Sequence, residues 1–259
     1  MGDTYNSEFM QWVNRTLDSY IPGIETYSVR VEEDGREDQE ASIVGDAMTE
    51  VLGVCDQLRN ISQLNEGFNA IGFSQGGLFL RSAMEVCGLP IHNLITYGSP
   101  HNGFVDLPVC KDWLCRKRNK FLKQHLYDSK VQDSLIQAQY FRDVYNYDDY
   151  IEKSIFLKFV NNEFIANRTY AENLSKLNKL AMVMFTKDVT VVPKESAWYY
   201  DIDPDTDRTT SFTETMGYKD DLIGMKTLHK QGRIDFLQIE NAHMQIDEDD
   251  LALIAGRYL

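Results

Sequence analysis

Long hydrophobic runs are missing from this 259-residue chain. No stretch approaches the ~18 consecutive apolar residues of a membrane-crossing helix, so no transmembrane segment is expected. Basic charge is scarce as well: 26 basic residues stand against 40 acidic ones, a formal net charge of −14. The average field of such a chain repels phosphates, which argues against a nucleic-acid partner. Internal repeats and low-complexity segments are absent. Cysteine is limited to Cys55, Cys87, Cys110 and Cys115, and four cysteines allow three pairings. Cys110 and Cys115 have a C-x4-C spacing, but two ligands without an adjacent histidine do not make a metal site; a short disulfide-closed loop is expected. Cys55, late in one helix, and Cys87, at the end of another, suggest a second bridge. No metal or organic cofactor is implied.

What is present suffices for one folded unit. Hydrophobic residues make up 43% of the chain, enough for a substantial core, and the length fits a single domain over 1–259. The sequence pI of about 4.8 suits an acidic compartment. Four sequons begin at Asn14, Asn60, Asn167 and Asn173. With an even cysteine count they point to a secretory route.

Helical spacing runs from Asn6 to about Ile21, where Pro22-Gly23 ends it. Residues Ile24 to Val31 alternate as a strand, Glu32 to Glu40 read as a charged loop, and Ala41 to Arg59 as one long helix. Strands follow at 68–71 and 93–97. From about 103 to 180 helical pieces succeed one another without a convincing strand, dense in Tyr and Phe, and read as a helical lid insert over the sheet edge. Strands resume at 181–185 and 234–239, separated by a polar, irregular stretch over 201–233. Asp247 caps a final helix from Glu248 to about Tyr258. Repeated βα units imply an α/β fold with a mainly parallel sheet and helices on both faces.

The most informative segment is Gly72-Phe73-Ser74-Gln75-Gly76. A G-x-S-x-G sequence between a buried strand and a helix is the context of a nucleophile elbow, a strained turn that lifts the serine hydroxyl above the sheet. Glycines at its flanks are expected because a Cβ there would clash. A serine nucleophile needs a base, and the base an orienting acid, in the chain order Ser, Asp or Glu, His. Of five histidines, His243 alone follows the last strand and precedes the last helix. Asp188 directly follows a strand at the sheet edge; Asp235 and Asp247 are the alternatives. Ser74, Asp188 and His243 are therefore the candidate catalytic residues. The backbone N–H of Gln75 is one expected oxyanion donor.

The stretch Asn69 to Gly77 with Phe79-Leu80-Arg81 resembles the palmitoyl-protein thioesterases, lysosomal α/β-hydrolases that remove long acyl chains from protein cysteines. The similarity continues through Asn93-Leu94-Ile95, Leu107 to Cys110, Val131 to Tyr140, Ser154 to Leu157, Met182 to Phe185 with Asp188 and Pro193, and His243-Met244-Gln245. The resemblance implies catalytic roles for Ser74, Asp188 and His243, bridges Cys55–Cys87 and Cys110–Cys115, a glycan at Asn167, and an apolar groove formed by the aromatic insert. It also implies S-palmitoylated proteins or peptides as substrates, a monomer, and a lysosomal or secreted location. A lipid ester hydrolase or acyl-CoA thioesterase with the same triad is the second reading. A non-catalytic lipid-binding protein on a dead hydrolase is the third.

The family also begins with a buried strand ending in a His-Gly-Met-Gly-Asp-like loop, whereas this sequence opens at Met1-Gly2-Asp3. An N-terminally truncated chain is therefore expected, with an apolar strand and a signal peptide encoded upstream. The second oxyanion donor would then be the nitrogen of Met1.

Overall fold

Side chains alternating along two central strands divide the apolar core between the faces of one sheet. The computed structural model describes residues 3–110 and 112–259. The sheet contains β1 (Phe68–Phe73), β2 (Ile91–Tyr97), β3 (Lys179–Phe185) and β6 (Ile234–Ile239), all parallel, in the order β1-β2-β3-β6. The shorter β4 (Asp201–Asp203) and β5 (Arg208–Thr210) form a separate antiparallel hairpin. On β2 and β3, Leu94, Leu180 and Met182 enter one core, while Ile95, Tyr97, Ala181, Val183 and Phe185 enter the other. Parallel strands covered on both faces carry continuous apolar runs, as β3 does from Leu180 to Phe185. Helices Glu8–Tyr20 and Glu248–Tyr258 pack on the second face; helices Ala47–Arg59 and Gln75–Cys87 cover the first. This is the α/β arrangement expected.

The two bridges form as expected. Cys55–Cys87 ties the ends of the two first-face helices together, and Cys110–Cys115 closes a short loop. Helices Trp113–Gln124, Ser129–Gln132, Ile136–Gln139, Tyr147–Lys153, Leu157–Val160 and Arg168–Leu174 follow one another before β3. A buried polar cluster ties the end of helix Leu157–Val160 to helix Gln75–Cys87. Arg81, fully buried, donates to Glu85 Oε1 at 2.7 Å, to Asn161 Oδ1 at 2.8 Å and to the His101 carbonyl at 3.1 Å.

Four local expectations change. Residues 24–31 are extended but join no strand among the described residues. Their backbone groups are met by side chains instead: Gln57 pairs with both the N–H and the carbonyl of Arg30, and Asp38 accepts from Val31 N–H at 2.7 Å. The charged loop contains a helix, Gly35–Ala41, started by the Asp34 cap. The long helix begins only at Ala47, because Asp46 caps it by accepting from Thr49 N–H. Within 201–233 lie the β4–β5 hairpin and helices Met216–Lys219 and Met225–Lys230.

Candidate active site

Ser74 lies between the end of β1 and the first residue of helix Gln75–Cys87, at φ 50° and ψ −122°. A non-glycine residue holds that backbone only where its surroundings enforce it. Its N–H donates to the Tyr97 carbonyl at 2.7 Å, fixing the turn to the neighbouring strand. A Cβ on Gly72 would sit 2.4 Å from Gly77 Cα, so that flank needs glycine as expected. The other flank differs: a Cβ on Gly76 meets nothing within 4 Å, whereas one on Gly77 would lie 2.0 Å from Ser99 Oγ. Close approach of the elbow helix to β2 falls on Gly77 because Gly76 faces the cavity instead.

His243 reaches Ser74 from the loop after β6. Its Nε2 lies 3.0 Å from Ser74 Oγ and its Nδ1 2.6 Å from Asp188 Oδ2. Asp188 is buried beyond β3, and its Oδ1 accepts from the N–H groups of Thr190 at 2.7 Å and Val191 at 3.1 Å. Those two bonds aim Oδ2 at the imidazole. A carboxylate that accepts from Nδ1–H leaves Nε2 as the acceptor facing the serine. The structure thus brings together all three residues chosen from chain order. The alternatives serve elsewhere: Asp235 pairs with Lys179 and accepts from Tyr258, and Asp247 caps the last helix.

Gln75 supplies the first N–H of the elbow helix, which has no acceptor within the helix. Its side chain has a role that the sequence did not signal. The Gln75 amide donates to the Ser42 carbonyl at 3.0 Å and accepts from Gln137 at 3.0 Å and from the Tyr140 hydroxyl at 3.1 Å. No local pattern reveals such contacts, because the partners lie 33 to 65 residues away. The other expected oxyanion donor, Met1, lies outside the described residues. Asn167 is exposed and caps helix Arg168–Leu174, whereas Asn173 is buried and donates to the Glu85 carbonyl.

Ser74 and His243 open onto a cavity of about 590 Å³. Its lining includes the apolar Phe9, Val29, Ile71, Phe79 and Met244 beside polar residues, among them Arg30, Asp38 and Glu50. The expected lining by insert aromatics is not observed: Tyr140, Phe141, Tyr150 and Phe156 are consumed by the core. Glu50 Oε2 is buried without a hydrogen-bond partner among the described residues. Burial, then the nearby Asp46 and Asp38, push its carboxyl up to about 8.

Comparison with known proteins gives the family. The sequence pattern of the palmitoyl protein thioesterase family matches residues 1–243. The chain is 36% identical over 251 residues to palmitoyl-protein thioesterase 1 of Caenorhabditis elegans, covering 95% of this chain and 84% of that protein. It is 31% identical to palmitoyl-protein thioesterase 3 of Dictyostelium discoideum, over 93% of this chain and 82% of that one. A protein named lysosomal thioesterase PPT2 homolog, from Drosophila melanogaster, is 29% identical over 76% of this chain and 69% of its own. By the span of the family pattern and the identity to these relatives, the chain belongs to the palmitoyl protein thioesterase family.

Proposed function

We propose that this chain hydrolyses thioesters joining long-chain fatty acids, palmitoyl above all, to cysteines of proteins or peptides. The observation that carries this reading is the continuous contact from Asp188 through His243 to Ser74 at the wall of an apolar cavity. In the reaction, His243 Nε2 takes the Ser74 proton as Oγ attacks the acyl carbonyl. The oxyanion of the tetrahedral intermediate faces the Gln75 N–H. Collapse breaks the carbon–sulfur bond; the cysteine leaves as its thiol with the proton from His243, and Ser74 carries the acyl group. His243 then takes a proton from water, which attacks the acyl-enzyme. Fatty acid departs and the proton returns to Ser74. Asp188 holds the imidazole orientation throughout. Each buried methylene of the chain contributes about 0.8 kcal/mol to binding, which favours long acyl groups.

A lysosomal setting accompanies this reading. The Drosophila melanogaster relative carries that compartment in its name, and both disulfides suit an oxidising secretory route. Asn167, exposed within its sequon, is the glycan site that fits.

The test compares turnover of a palmitoylated-cysteine peptide with that of the matched oxygen ester on serine, using wild type and Ser74→Ala. Faster thioester turnover by wild type, abolished in Ser74→Ala together with fluorophosphonate labelling, is expected. Equal or faster oxygen-ester turnover would make this a lipid ester hydrolase. A folded chain that refuses the label would make it a non-catalytic lipid binder.

A further inference from the structure

Helix Trp113–Gln124 wears its apolar side outward. A surface helix normally turns its apolar stripe to the core and its charges to water. None of the twelve residues here is buried. The side nearest the body carries Cys115, Asn119 and Lys123, spaced four apart and hence on one face. Cys115 is bridged to Cys110, Asn119 donates to the Pro108 carbonyl at 2.9 Å, and Lys123 Nζ lies 3.9 Å from Asp106. The opposite face presents Trp113, Leu114 and Phe121, which are 62%, 61% and 61% exposed. At 3.6 residues per turn these three fall within an arc of about 100°. Lys117 stands between them, and Lys120 and Arg118 flank them.

The charge of this helix opposes that of the whole chain. Five basic residues and no acidic one occupy its twelve positions, in a chain of net charge −14. Acids beside it are Asp112, which caps the helix, Asp106 beneath it, and Asp128 beyond its end, paired with His125. The patch also continues toward the active site. Val109 N–H donates to the Val189 carbonyl at 3.0 Å, and both valines are exposed. Val189 lies between Asp188, which touches His243, and Thr190, which lines the cavity.

We propose that this face docks the protein on an anionic lipid bilayer, with the cavity mouth beside the docked surface. Large apolar side chains interleaved with long cationic ones are the chemistry of a helix lying in the headgroup region. There the apolar groups enter the acyl boundary while lysine and arginine stems reach back to the phosphates. A second copy of the chain does not fit, because two such faces would oppose cation with cation. No helix among the described residues is long and apolar enough to cross a membrane, so the contact is peripheral. Its use, presenting acyl chains already seated in a bilayer to Ser74, rests on the thioesterase reading; the docking itself does not.

The experiment is sedimentation of the full chain with vesicles of phosphatidylcholine alone or phosphatidylcholine containing phosphatidylserine. Binding to the anionic vesicles only, weakened by added salt, is expected. Lys117→Ala and Lys120→Ala each weaken it by on the order of five-fold. Trp113→Ser with Phe121→Ser removes most of the remainder, while circular dichroism and turnover of a soluble palmitoyl thioester stay at wild-type levels. Wild type that ignores anionic vesicles, or variants that bind them as well as wild type, overturns the docking face. A chain that ignores vesicles but cleaves the soluble thioester leaves the proposed reaction standing. One that binds vesicles but cleaves nothing does the reverse.

Discussion

The hydroxyl of Tyr140 donates to Oε1 of Gln75 across 3.1 Å, joining the helical insert to the residue that follows the elbow serine. Gln137 shares the same oxygen, and the Gln75 amide nitrogen reaches the Ser42 carbonyl. Three partners from two distant segments thus hold the first turn of the elbow helix, where the expected oxyanion donor sits. Tyr140→Phe removes one of them and leaves Gln137 in place. It is expected to cost about 1 kcal/mol of stability in urea denaturation. The same variant should lower kcat by on the order of three-fold with KM nearly unchanged, since the donor acts on the transition state. Gln75→Ala strips all three partners and should lower kcat further. A change confined to KM would remove the positioning role.

Asp188 accepts two backbone N–H bonds on one oxygen and the imidazole on the other. In Asp188→Asn, keeping the Thr190 and Val191 bonds leaves an amide NH2 facing His243. The imidazole must then present a bare Nδ1 to it and a protonated Nε2 to Ser74, the wrong arrangement for a base. We expect kcat to fall on the order of 10³ to 10⁴ while the thermal midpoint moves little. Single-turnover measurement with a palmitoyl thioester would separate acylation from deacylation. Loss of less than tenfold would mean that Asp188 does not orient the base.

The elbow and its partners were legible because each depends on local order: strand before, helix after, histidine between the last strand and last helix. The sheet was legible because apolar runs in β2 and β3 are short and bounded. Residues 24–31 were not, because alternation describes an extended chain whether or not a neighbour pairs with it; here Gln57 and Asp38 satisfy its backbone. The cavity wall also escaped the sequence. Aromatic density in the insert signals packing as readily as a groove, and the wall is built instead from residues near Phe9, Val29 and Phe79.

Two adjacent glycines offer a sharper test of the elbow than the serine itself. A Cβ at Gly77 would collide with Ser99 Oγ and approach Thr96 Cβ to 3.0 Å. Helix Gln75–Cys87 would have to rise from β2, and such overpacking costs about 1–3 kcal/mol, in excess of the ~1 kcal/mol that alanine gains over glycine in a helix. Gly76→Ala meets open space, so it should be neutral or slightly stabilising. Chemical denaturation of both variants checks the contrast, and equal effects would contradict the packing described.

Glu50 gives the fold a preference for acid. Its carboxyl ordinarily titrates near 4.5 but is raised to about 8 by burial, with Asp46 and Asp38 adding to the shift. Between those two values the folded state holds more protons than the unfolded one. Stability therefore falls as pH rises through that window and is greatest below it. Glu85, lifted to about 7 by burial against the opposing pull of Arg81, adds a slope of the same sign. Glu50→Gln keeps the shape and removes the titration. Its thermal midpoint should exceed that of wild type by several degrees at pH 7.5 and match it near pH 4.5. The difference between wild-type midpoints at these two pH values should shrink in the variant without vanishing, because Glu85 remains. Scanning calorimetry at both values measures this directly. A Glu50→Gln midpoint no higher than that of wild type at pH 7.5 would exclude a buried, protonated Glu50 in the cavity wall.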